Sequence, residues 1–180
     1  LTQRTARKLP TEPSVFEFDV TDPEHVPALR DAIAAEFGTL DGALHAIGFA
    51  PEAALGDDFM GATWDDVKVA VEISAYSLKT LAEVAAPLMT NGGSIVGLDF
   101  DATVAWPAYN WMGFAKAALE SANRYLAREL GPQGIRVNLV AAGPIKTMAA
   151  KSIPGFTQFE DVWDDRAPLG WDVCLLYTSP

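Results

Sequence analysis

Residues 107–130 read PAYNWMGFAKAALESANRYLAREL. Alanine, leucine and charged residues fill this stretch, and its only proline stands at the start, so it predicts a helix. Tyr109 and Lys116 lie seven residues apart within it. A helix advances about 100° per residue, so seven residues bring the chain back to one face roughly 10 Å along the axis. A phenol and an ammonium are thus expected on one face, either as a catalytic pair or as two amphipathic side chains at the mouth of a packed helix. Met112 shares that face and suits an acyl chain or core packing equally well. As a catalytic pair, the ammonium would lower the phenol's pKa.

Working outward from this helix, strands and helices alternate. SVFEFDV (14–20), LDGALHAIGF (40–49), GSIVGLDF (93–100) and IRVNLVAAG (135–143) are short and apolar. Such runs predict strands. Between them, 21–38 predicts a helix capped by Thr21 or Asp22 and closed by Gly38, and 64–89 predicts a long one. The expected fold is α/β: a Rossmann-like, doubly wound parallel sheet in three layers, truncated at both ends.

In open α/β sheets, ligands bind beyond the carboxyl ends of the strands. Those ends carry Asp19-Val20, Ala46-Ile47-Gly48, Asp99-Phe100 and Ala142-Gly143-Pro144-Ile145. Asp19 is either a loop or cap acid or an acceptor for an adenine amino group. Gly48 either allows a turn or lets a ribose or phosphate approach backbone. The 142–147 segment is either a plain turn or a set of backbone groups facing a carboxamide, with the Thr147 hydroxyl near a phosphate. No G-x-G-x-x-G fingerprint occurs.

Twenty-four acidic and 13 basic side chains leave a formal charge of −11 over 180 residues. That sign disfavours nucleic acid and anionic membrane as partners. Cys174 is the single cysteine, beside two histidines, which excludes an intrachain disulfide and a Cys-based metal site. No apolar run of 18 residues and no signal-peptide pattern appear, so a cytoplasmic location is expected. Arg4, Arg7 and Lys8 before Pro10 resemble the end of a helix that starts upstream of Leu1. The expectation is a fragment: one domain over 1–173, and a non-native tail over 174–180.

YNWMGFAK resembles the Tyr-x6-Lys signature of enoyl-acyl-carrier-protein reductases, a branch of the short-chain dehydrogenase/reductase superfamily, most of whose members use Tyr-x3-Lys. HAIGFAP, EISAYSLKTLA, GGSIVGLDFD, PAYNWM, NLVAAGPIKTMA and RAPLGW resemble the same family in the same order. The likeness covers about 1–173 and is closest to the mycobacterial and actinobacterial, isoniazid-target type, which Phe100 favours.

This resemblance implies NADH-dependent reduction of a trans-2-enoyl thioester on acyl carrier protein. It implies Tyr109 and Lys116 as the catalytic pair, with Lys116 also holding the nicotinamide ribose. Asp19, Val20, Ile47, Gly48, Ile73, Ala142, Gly143, Pro144, Ile145 and Thr147 would contact cofactor. Phe100, Met112, Leu55 and Met148 would line the acyl site. Relatives form homotetramers through the two long helices. Two departures stand out: Ala46 replaces a serine, and the segment 148–166 is shorter. The alternatives are a carbonyl-reducing short-chain dehydrogenase and a non-catalytic dinucleotide-binding module. Gly113, four residues after Tyr109, and the absence of serine from GLDFD disfavour the first.

Overall fold

A computed structural model describes residues 2–11, 13–143, 145 and 162–163. The expectations for Pro144, Thr147, Met148, most of 148–166 and the 174–180 tail lie outside those residues. The short helix α1 (Thr2–Ala6) ends in a turn before Pro10.

Among the described residues, three parallel strands form the sheet, in the order β1 (Gly42–His45), β2 (Gly93–Asp99), β3 (Ile135–Ala141). The register pairs His45 with Gly97 and Asp99 with Ala141, which brings the carboxyl ends to one edge. Period-two alternation sets the faces. Ile95, Gly97, Ile135, Val137 and His45 point inward and are buried, whereas Leu44, Leu98 and Val140 on the other face are exposed. A Cβ at Gly97 would meet Leu139 Cδ2 at 2.5 Å, so the leucine tip would have to turn aside.

On the inner face lies a long helical run followed by α5 (Asn110–Leu130). The run begins as α3 (Trp64–Val71), where Thr63 and Asp66 form a reciprocal capping box. It widens to a π-turn at Glu72–Tyr76, continues as α4 (Ser77–Ala85) and tightens to 3₁₀ at Ala86–Leu88. The predicted helix at 64–89 is therefore helical from Trp64 to Leu88, with an inserted π-turn that periodicity does not reveal. Such turns concentrate at functional sites. Leu78, Ala82, Ala85, Ile95, Leu119 and Val137 form the main core between sheet and helices.

Two expectations need correction. The segment 14–20 is not a strand: it belongs to no ladder of the sheet and is only half covered. Its β-branched and aromatic residues favour a pleated surface only where a neighbour supplies hydrogen bonds and packing, and no described strand does so. The following helix α2 (His25–Phe37) starts later than Thr21 or Asp22. Asp22 accepts the Glu24 amide, and Asp19 accepts the Thr21 amide and hydroxyl, so both acids form local turns ahead of the helix. Gly38 closes it at φ 75° as expected, its amide donating to the Ala34 carbonyl.

Candidate active site

Tyr109 stands immediately ahead of α5 rather than within it. Its neighbours Ala108 and Asn110 take positive φ, 57° and 49°. Asn110 tolerates that conformation, whereas Ala108 holds it at a cost, and such strain collects at functional sites. Cross-bracing holds the turn in place. Gly56 N–H donates to the Ala108 carbonyl at 2.9 Å, and Asn110 Nδ2 donates to the Gly56 carbonyl at 3.1 Å. Because the chain bends at Asn110, the helical count that places Tyr109 and Lys116 on one face does not describe their relation. They converge instead on the end of β2.

Lys116 is 8% exposed and its ammonium donates to the Leu98 carbonyl at 2.8 Å. Tyr109 is 6% exposed, with its ring 4.9 Å from that of Phe100. Asp99 lies at the same strand end and acts on both. Burial, and then the Asp99 charge, push the Tyr109 phenol well above its usual range. Burial lowers the Lys116 pKa, and Asp99 opposes that effect. The phenol is thus raised rather than lowered as expected, because desolvation and the Asp99 carboxylate set its shift. Tyr109 is held as a protonated donor.

The end of β1 is built differently. Ser77 Oγ donates to the Ile73 carbonyl at 2.6 Å, so His45 Nε2–H donates to Ser77 Oγ, also at 2.6 Å. His45 is fully buried and neutral; burial, with Lys116 nearby, lowers its pKa to about 4. One residue into the π-turn beyond Ile73, Ser74 Oγ accepts the Phe49 amide and donates to the Phe49 carbonyl, at 2.9 and 2.8 Å. The π-turn thereby clasps the loop carrying Ile47 and Gly48. A Cβ on Gly48 would meet Met112 Cε and Ser74 Oγ only at 3.9 Å, an ordinary contact. The protein's own packing does not demand glycine there, so the missing Cβ leaves backbone open to a ligand.

Met112 and Leu55 pack together with Trp111 against a small cluster of Ala50, Ala54 and Ala70. Phe100 also meets Trp106 at 5.4 Å and Trp163 at 6.2 Å. A cavity of about 680 Å³ adjoins Tyr109, between the 56–59 loop, the 102–108 loop and the outer side of α5. Lys116 does not line it.

Tyr109, Lys116, Phe100, Met112, Leu55, Gly48 and Ile73 are therefore gathered near the carboxyl edge of β1 and β2. Ala142, Gly143 (φ 77°) and Ile145 follow β3 at the same edge. Asp19 and Val20 are not brought to this cluster. Asp19 is exposed and bonded to Thr21, which holds its carboxyl below the usual range, and Val20 lines a groove with α2 and α4. Sequence reasoning missed Ser74, Ser77, Trp106 and Trp163 as parts of the site. An inward period-two count along β1 and β2 reaches His45 and Asp99, a usable signal for two buried polar groups.

The family described as enoyl-(acyl carrier protein) reductase matches residues 1–175. The chain belongs to this reductase family. It is 47% identical to the NADH enoyl-[acyl-carrier-protein] reductase of Mycolicibacterium smegmatis, over 96% of this chain and 70% of that protein. The corresponding Mycobacterium avium protein is 44% identical over 96% of this chain and 69% of its own length. The NADH reductase FabI of Synechocystis is 44% identical over 86% of this chain and 60% of its own. Tyr109, Lys116 and the π-turn clasp of this reductase chain all fall within the matched span.

Proposed function

We propose that this reductase reduces a trans-2-enoyl thioester, carried on acyl carrier protein, to the saturated acyl thioester with NADH, in fatty acid synthesis. The observation that carries this reading is the convergence of Tyr109 and Lys116 on the end of β2 from a six-residue spacing.

The residues present fit a nicotinamide dinucleotide. Lys116 uses one N–H on Leu98 and keeps two donors for ribose hydroxyls. Gly48 leaves the β1 end open. Ile47, Gly48, Ile73, Ala142, Gly143 and Ile145 would hold other parts of the cofactor, with Asp19, Val20, Pro144 and Thr147 proposed from the family pattern. NADH, when bound, supplies the hydride that the enoyl C3 accepts.

The thioester oxygen then gains negative charge, and a protonated phenol in a water-poor site is the group suited to meet it. Tyr109 donates a hydrogen bond to that oxygen, and protonation at C2 completes the saturated chain. Its raised pKa serves this role, since a phenolate would repel the developing charge. Phe100, Met112 and Leu55 offer apolar surface for the acyl chain, joined in the proposal by Met148. We further propose a homotetramer formed through the two long helices, on which Tyr76 and Tyr125 are exposed, and a cytoplasmic location.

The test is a coupled measurement of NADH absorbance and product mass with crotonyl and dodecenoyl thioesters. Substrate-dependent NADH oxidation yielding the saturated thioester is expected. Turnover of a 3-oxoacyl thioester alone would assign carbonyl reduction instead, and NADH binding without turnover would assign a binding module.

A further inference from the structure

We propose that Asp99 is a counter-ion that positions the Lys116 ammonium and the Tyr109 phenol for the reaction. This rests on the functional reading above, because it assigns a task to Lys116.

Asp99 occupies the last inward position of β2, after Ile95 and Gly97. Its backbone is fixed by the ladder opposite Ala141, and its side chain is half-buried. Oδ1 is buried and accepts no hydrogen bond among the described residues. A buried carboxylate oxygen in that condition is costly unless charge or a ligand compensates it. Compensation comes from the site itself. Lys116 Nζ is anchored at 2.8 Å on the carbonyl of Leu98, the residue before Asp99, and the Tyr109 ring lies 4.9 Å from that of Phe100, the residue after it.

Among the described residues, the charged or titratable groups that act on it can be named. From α5 come Lys116 and Glu120, from the turn just ahead of it Tyr109, and from the loop after β2 Asp101. From β1, His45 senses Lys116 and stays neutral. From β3, Ala141 contributes no charge. Burial raises the Asp99 pKa; Phe100 and Lys116 oppose that, while Glu120 and Asp101 reinforce it. Asp99 in turn raises both Lys116 and Tyr109. One carboxylate therefore does two things. It offsets part of the burial that lowers Lys116, and it adds to the burial that raises Tyr109.

The experiment measures NADH affinity of the purified enzyme by fluorescence from neutral to alkaline pH. The parent should lose affinity as Lys116 deprotonates. In Asp99→Asn that alkaline limb should move down by about 1 pH unit or more, the low end for losing one nearby opposite charge. Between the two limbs, affinity should then be roughly tenfold weaker. Asp99→Glu, which keeps the charge, should restore most of the limb.

A limb that stays in place in Asp99→Asn, in a parent that binds NADH, overturns the inference and leaves the functional reading standing. A parent that does not bind NADH overturns both. If Asp99→Asn does not fold, the Asp99 carboxyl carbon followed by NMR in the parent decides. It should report a second inflection as Lys116 titrates, and a single inflection overturns the inference.

Discussion

The ends of β1 and β2 are adjacent in one sheet, yet they are finished in opposite ways. At β1, His45, Ser77 and the Ile73 carbonyl form a neutral chain of hydrogen bonds, and Ser74 grips both polar atoms of the Phe49 peptide. At β2, Lys116, Asp99 and Tyr109 bring two charges and a phenol into a buried space. One end is neutral and nearly satisfied. The other keeps spare donors on Lys116 and a bare oxygen on Asp99. The difference separates shape from chemistry: the first end holds the cleft open in a fixed geometry, and the second is left incomplete for a ligand to finish.

That comparison can be broken first through acid. His45 has its pKa lowered from 6.5 to about 4, chiefly by burial. The unfolded chain takes up this proton near pH 6.5 while the folded chain waits until about 4. The stability is thus complete above 6.5 and is lost as pH falls through that window. The loss should be on the order of 3 kcal/mol. Urea titrations of the parent and of His45→Gln across this range isolate it, since glutamine keeps a donor for Ser77 without titrating. Equal pH slopes in both proteins would show that the β1 end is not the buried neutral clasp described.

Lys116→Ala sharpens the other side. If the ammonium grips ribose, NADH affinity should fall by about 10- to 100-fold, the range for losing a charge-assisted hydrogen bond or two. The melting temperature should fall as well, because the ammonium satisfies the Leu98 carbonyl and offsets the Asp99 charge, so NADH affinity is the deciding readout. Unchanged affinity by fluorescence titration, with a large fall in melting temperature, would make Lys116 a structural residue like His45.

Much of this was legible in the residues themselves. Apolar runs marked β1, β2 and β3, and the carboxyl-edge rule pointed to Gly48, Asp99 and the residues after Ala141. The six-residue gap between Tyr109 and Lys116 carried the resemblance to enoyl-acyl-carrier-protein reductases. What failed to read had physical causes. The 14–20 segment has strand composition, but pairing is a tertiary property that composition cannot supply. The π-turn at Glu72–Tyr76 lies in the backbone hydrogen bonding, which side-chain composition does not mark. The sign of the Tyr109 shift depended on burial and on Asp99, ten residues earlier in the chain, and a count along one helix contains neither.

The central claim is that Tyr109 acts on the substrate oxygen as a protonated donor, while the cofactor is held elsewhere. Tyr109→Phe removes the hydroxyl and keeps the ring against Phe100. NADH titration and single-turnover reduction of dodecenoyl thioester on the same folded sample test it most directly. The account predicts NADH affinity within about twofold of the parent and a rate lower by about 10- to 1,000-fold, as for the loss of one oxyanion donor. A parent-like rate in Tyr109→Phe would contradict it.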